Sequence, residues 1–125
     1  MYIATVYLHI ALAFASLAAS LWWILAAWQP AGGAPAGRTK AAYSANRAVS
    51  GIAGLSGLAL MAVGSLWTMW LPYVGLAWFL AHGVASTVSK RAFATQRLGL
   101  LRAMLVIQFL CLVAAALKGQ VAALL

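Results

Sequence analysis

Four stretches of this chain, at about 3–28, 48–70, 72–89 and 99–118, are each apolar over the length a helix needs to cross a bilayer. That length is about 20 residues, because a helix rises about 1.5 Å per residue and the hydrocarbon core is about 30 Å thick. The four runs take up most of the 125 residues, so residues 1–125 read as a single four-span transmembrane domain. Charged residues make up 6% of the chain, whereas a soluble domain carries about a quarter. With no Asp or Glu anywhere, carboxylate-pair hydrolysis, Ser-His-Asp catalysis, EF-hand calcium binding and carboxylate-driven proton pumping are excluded within the chain. The single cysteine, Cys111, has no internal disulfide partner.

The basic residues orient the spans. Arg38, Lys40 and Arg47 flank the segment after the first run, Lys90, Arg91, Arg97 and Arg102 flank the segment after the third, and Lys118 alone lies at the opposite side. Cations gather on the cytoplasmic face of multi-pass proteins, so both loops are expected inside and both termini on the periplasmic side of a bacterial inner membrane. Tyr2, Trp67, Trp70 and Tyr73 then fall at outer span ends and Trp22, Trp23 and Trp28 at an inner one, where amphipathic rings prefer to sit. Anionic inner-leaflet lipids are the expected partners of these cations, each contact contributing about 1 kcal/mol. The net charge of +8 lacks the aromatic-interleaved basic patch of a nucleic-acid reader, and no nucleic-acid partner is expected. The first run has no Lys or Arg before Arg38 and is longer than the apolar part of a signal peptide, so it is expected to be retained.

Pro30, Gly32, Gly33, Pro35 and Gly37 punctuate Gln29–Asn46, which reads as a flexible loop, and Leu71-Pro72 as a tight hairpin. In lipid, helices recognise one another through small and polar residues. Ser50, Gly54, Gly57, Met61, Gly64 and Thr68 form such a stripe at helical period, as do His9, Ala13, Ser16 and Ser20. Gly75, Trp78, His82, Ser86 and Ser89 form a third, and Gln108 shares a face with Leu101, Met104, Cys111 and Ala115. These inward faces predict an all-α fold, an integral membrane up-down four-helix bundle.

Ionisable residues inside a membrane mark functional sites by default. His9 and His82 lie roughly 9 and 15 Å below the outer boundary and Met61 roughly 13 Å, one shared layer. Two imidazoles facing inward suit axial ligation of haem b or contact with a porphyrin or quinone, with Met61 able to replace either and Arg47 able to pair a propionate that reaches it. Trp78 and Gln108 complete the candidate cofactor-binding set. Met104 and Cys111 extend it to a soft nitrogen and sulfur set suited to copper. Against both stands a structural role, in which each His bonds a neighbouring helix.

Tyr7-Leu8-His9-Ile10, Asn46-Arg47 before a small-residue helix, Trp78-Phe79-Leu80-Ala81-His82, and Lys90-Arg91 before a helix closing at Lys118-Gly119 together resemble small four-helix membrane families: SirB-like proteins, the CopD-type copper-resistance domain and the HemJ-type protoporphyrinogen oxidase. His82 stands where those families usually carry Lys in Trp-x-x-x-Lys, a departure from HemJ-like porphyrin oxidation that leaves a haem-binding or redox role open. The resemblance implies a His-bearing bundle near haem or copper chemistry. The expected function is therefore an intramembrane bis-His site binding haem b or a porphyrin in a redox role, as a membrane oxidoreductase component. The alternatives are an accessory or assembly subunit of a larger respiratory or photosynthetic complex, or a homo-oligomer, with no cofactor of its own, and copper handling.

Overall fold

The computed structural model describes residues 1–124, with side chains through Lys118, and is all-helical. Four helices, α1 (Tyr2–Ala27), α2 (Gly37–Val63), α3 (Leu71–Ala94) and α4 (Leu98–Leu124), are each long and apolar enough to cross a membrane. A short 3-10 turn at Leu66–Thr68 precedes α3.

Two boundaries differ from the sequence reading, for local reasons. Helix α2 starts at Gly37, well inside the segment read as the loop Gln29–Asn46. Thr39 starts it: its hydroxyl donates to the Ala36 carbonyl at 2.7 Å and accepts from the Ala36 N–H at 3.1 Å. Pro30, Gly32, Gly33 and Pro35 are thus confined to the stretch before it, where Gly32 and Gly33 take the positive φ angles of 98° and 73° that glycine tolerates. Arg38, Lys40, Asn46 and Arg47 consequently ride on α2 itself. Nor is the connection before α3 a tight Leu71-Pro72 hairpin. Helix α2 ends at Val63, Ser65 turns through left-handed backbone, and the 3-10 turn is tied down by the Tyr73 hydroxyl, which donates to the Trp67 carbonyl at 2.9 Å. Pro72 occupies the first turn of α3, where its missing N–H costs nothing.

Helix α1 packs along α2 and α3 along α4, whereas the two pairs meet each other more sparingly. Contacts along α1 and α2 run in opposite numerical order: Tyr2 beside Gly64, His9 beside Gly57, Ser16 on Ser50, and Trp23 against Tyr43. At one end the helices enclose a core of Trp23, Ala27, Ala42, Ala92, Phe93, Leu101 and Leu105. Trp23, read as an interfacial ring, is fully buried there, edge-on to Tyr43 at 5.0 Å and donating its indole N–H to Ser89 Oγ at 3.0 Å. Trp22 and Trp28 are exposed as expected, Trp28 lying under the Arg102 guanidinium at 5.1 Å.

Toward the middle, side-chain hydrogen bonds tie the helices across the bundle. Ser16 bonds Ser50 at 2.7 Å, Asn46 Nδ2 donates to Ser86 at 2.9 Å and to Gln108 Oε1 at 3.3 Å, and His82 Nδ1 meets the Gln108 carbonyl at 2.9 Å. Each such bond contributes about 0.6 kcal/mol in a membrane, so together they fix register more than they supply strength. Trp23→Ala is expected to cost about 3 kcal/mol or more, through a large cavity and the loss of the indole N–H that Ser89 accepts, while Trp78→Ala on the exposed face changes stability by less than about 0.5 kcal/mol. Unfolding in mixed detergent micelles followed by circular dichroism measures the difference.

Candidate functional site: two histidine-lined cavities

Between the helix pairs lie two cavities. The first, of about 460 Å³, is lined by all four helices and includes His9, Ser16, Gly54, Gly57, Met61 and Lys118. The second, of about 520 Å³, lies between α2 and α3 and is lined by Arg47, Ser50, Phe79, His82, Thr87 and Arg91 among others. Among the described residues Phe79 alone lines both. Its ring, seated on Gly54, and the Ser16–Ser50 pair, with one serine facing each side, form the partition.

The glycine stripe of α2 explains how the first cavity is shaped. A Cβ on Gly54 would run into the Phe79 ring, on Gly57 it would stand 3.2 Å from His9 Cε1, and on Gly64 2.7 Å from the Tyr2 ring. Gly75 on α3 likewise leaves room for the Lys118 stem, 2.6 Å from where its Cβ would be. These glycines are sockets for large side chains of neighbouring helices, one way in which small residues let helices pack.

Hydrogen bonding assigns both imidazole tautomers. Ser56 has one hydroxyl hydrogen and donates it to the Ala53 carbonyl at 2.7 Å, so toward His9 Nδ1, 2.8 Å away, it accepts. His9 therefore carries its hydrogen on Nδ1 when neutral. His82 Nδ1 faces the Gln108 carbonyl, which only accepts, so it too is Nδ1–H. Both rings are left with a lone pair on Nε2, the arrangement a histidine takes when an outer partner orients it toward a ligand. His82 Nε2 is buried with no hydrogen-bond partner among the described residues, as are Asn46 Oδ1, Gln108 Nε2 and Ser20 Oγ.

The sequence-derived residues are thus distributed rather than gathered. His9 and Met61 share the first cavity, and His82 and Arg47 share the second. Gln108 is buried and serves His82 through its backbone carbonyl and Asn46 through its side chain. Trp78, placed on the inward stripe by spacing, is 42% exposed and lines neither cavity. Met104 and Cys111 line neither cavity, and no group of three His, Cys or acidic residues capable of holding a metal ion occurs among the described residues. Asn46, Ser56, Phe79 and Lys118 are not among the site residues that the sequence points to. Only Asn46, a polar residue just before the stripe of α2, carried a signal, and the misplaced helix start hid it.

No protein-family model matches the chain, and neither the curated proteins nor the solved structures include a significant match.

If the Ser56 relay holds His9, nitrogen NMR of the neutral protein will show Nδ1-protonated imidazole for both histidines. Ser56→Ala will then alter the His9 pattern alone, leaving His82 unchanged.

Proposed function

We propose that this chain is a multi-pass protein of a bacterial inner membrane that holds an apolar planar cofactor, haem b or a related porphyrin, in the cavity lined by His9 and Met61, and serves as a redox component. The observation that carries the reading is the Ser56-oriented imidazole of His9, with its Nε2 lone pair free, on a largely apolar cavity of about 460 Å³. Binding cavities for small cofactors span roughly 300–1,000 Å³ and combine apolar walls with a few placed polar groups. His9 and Met61, which line the same cavity, would hold the group through imidazole nitrogen and thioether sulfur. The bound group would supply one-electron chemistry, while the chain's residues orient it, exclude water and set the polarity around it. His82 opens onto the other cavity, so His9 with Met61 accounts for the geometry better than His9 with His82.

The glycine sockets are filled from within the chain, which favours a role with a ligand of its own over one in which these faces wait for partner helices. The soft copper set is supported only by His9 with Met61, since Met104 and Cys111 lie elsewhere. In the membrane the helices run up and down with both termini periplasmic. The opposite running order of α1 and α2 contacts supports this, as does the clustering of seven of eight cations near the two loops that would be cytoplasmic. Anionic inner-leaflet lipids are the natural counterions of those loops in a chain without acids.

Haem b titrated into the purified protein in neutral detergent is expected to give a saturable Soret band at one equivalent. His9→Ala abolishes it, Met61→Leu converts the spectrum toward a single-histidine form, and His82→Asn leaves it in place. Absence of any saturable band, or loss in His82→Asn but not in His9→Ala, overturns the reading. Independently, a cysteine introduced at Ala34 in a Cys111→Ser background will be labelled by an impermeant maleimide only after the inner membrane is opened from the cytoplasmic side.

A further inference from the structure

The second cavity presents a different chemical demand. Arg47 reaches from α2 across to α3, where Nη1 donates to the Gly83 carbonyl at 3.1 Å. That carbonyl also accepts from the Thr87 hydroxyl at 2.9 Å. Gly83 lies seven residues before Lys90, so the guanidinium is held roughly 10 Å deeper along α3 than that residue. An arginine at such depth is costly unless its remaining donors are met, and the chain contains no Asp or Glu to meet them. Beside it the buried His82 Nε2 offers a lone pair that no donor among the described residues reaches. The intervening walls, Phe79, Leu80, Val84 and Val88, are apolar, and Leu80 and Val84 are exposed on the outer surface of α3, where acyl chains run.

We propose that this cavity is a binding site for the head group of a long-chain carboxylic acid drawn laterally from the bilayer. A protonated carboxyl group answers the two demands from two separate oxygens: its O–H donates to His82 Nε2, and its carbonyl oxygen accepts a charge-assisted hydrogen bond from Arg47. Its acyl tail lies along the exposed face of Leu80 and Val84, so the tail need not be enclosed. Arg91, lining the same cavity on the side of Lys90, gives an entering acid a second cation to meet on the way. The sparse packing between α2 and α3 gives the head group its way in. The site shares with the haem cavity only the Phe79 partition, and it does not depend on a porphyrin being bound.

The test uses the full-length protein in nanodiscs of zwitterionic phosphatidylcholine, titrated with oleic acid, methyl oleate and oleyl alcohol against a displaceable fluorescent fatty acid. Oleic acid is expected to displace the probe. Methyl oleate lacks the O–H and oleyl alcohol lacks the second oxygen, so each should bind at least roughly tenfold more weakly. Arg47→Gln and His82→Asn should each weaken oleic acid by roughly tenfold; Asn at 82 keeps an N–H for the Gln108 carbonyl while deleting Nε2, so folding is spared, and circular dichroism checks it. His9→Ala should leave oleic acid binding unchanged while removing the haem spectrum, which separates this site from the first. Equal displacement by the three lipids, or unaltered affinity in both Arg47→Gln and His82→Asn, overturns the proposal. So does displacement by phosphatidylglycerol as strong as by oleic acid, because the head recognised would then be a phosphate.

Discussion

Lipid is as apolar as the side chains it surrounds, so this molecule has little to gain from hiding leucine, and its four helices need some other reason to choose each other. Shape and hydrogen bonding supply it. Ser16 with Ser50, Asn46 with Ser86 and Gln108, His82 with Gln108, and Trp23 with Ser89 reach across nearly every pairing of helices. The glycines of α2 and α3 then admit the Phe79 and Tyr2 rings, the His9 imidazole and the Lys118 stem. A polar atom that found no partner here would face hydrocarbon, which makes wrong registers costly even though each correct bond is worth little. The same economy leaves a few polar atoms short, and one of them, His82 Nε2, belongs to a residue that lines the second cavity.

Much of the architecture is written in the sequence because membrane crossing is a length and composition constraint. Four apolar runs give four helices, and the inward positions of Ser16, Ser20, Ser50, Met61, Gly75, His82, Ser86 and Gln108 follow from small and polar residues recurring at helical period. What failed did so for identifiable reasons. The start of α2 was hidden because Arg38, Lys40 and Arg47 make its first turns look like a loop, when polar turns of a helix can project beyond the apolar zone. Trp78 was carried inward by a stripe whose period it happened to satisfy, and Trp23 was carried outward by the usual preference of indoles for interfaces, when its N–H had Ser89 to answer it.

The candidate sites were legible only in part. Histidines in hydrocarbon announce themselves, but which cavity each lines depends on Phe79 and on the serine pair behind it, and nothing in a linear pattern relates Gly54 to Phe79. The tautomers were equally out of reach, since Ser56 orients His9 through a hydroxyl whose own hydrogen is committed to Ala53. Lys118 reads in the sequence as a lone outer-face cation, yet its stem lies over Gly75 and its ammonium donates to the Ala115 carbonyl at 2.8 Å, on the cavity wall.

The unequal packing of the helices bears on how such a protein is made. Helix α1 is matched to α2, and α3 to α4, far more completely than either pair is to the other. Each couple can leave the ribosome, enter the bilayer and close on itself as a finished half, with Asn46 and Trp23 as latches awaiting the second arrival. Divided in the connection between α2 and α3, the polypeptide would have the parts to reassemble from two separately synthesised pieces. The seam along which they rejoin is also where the molecule can breathe most cheaply.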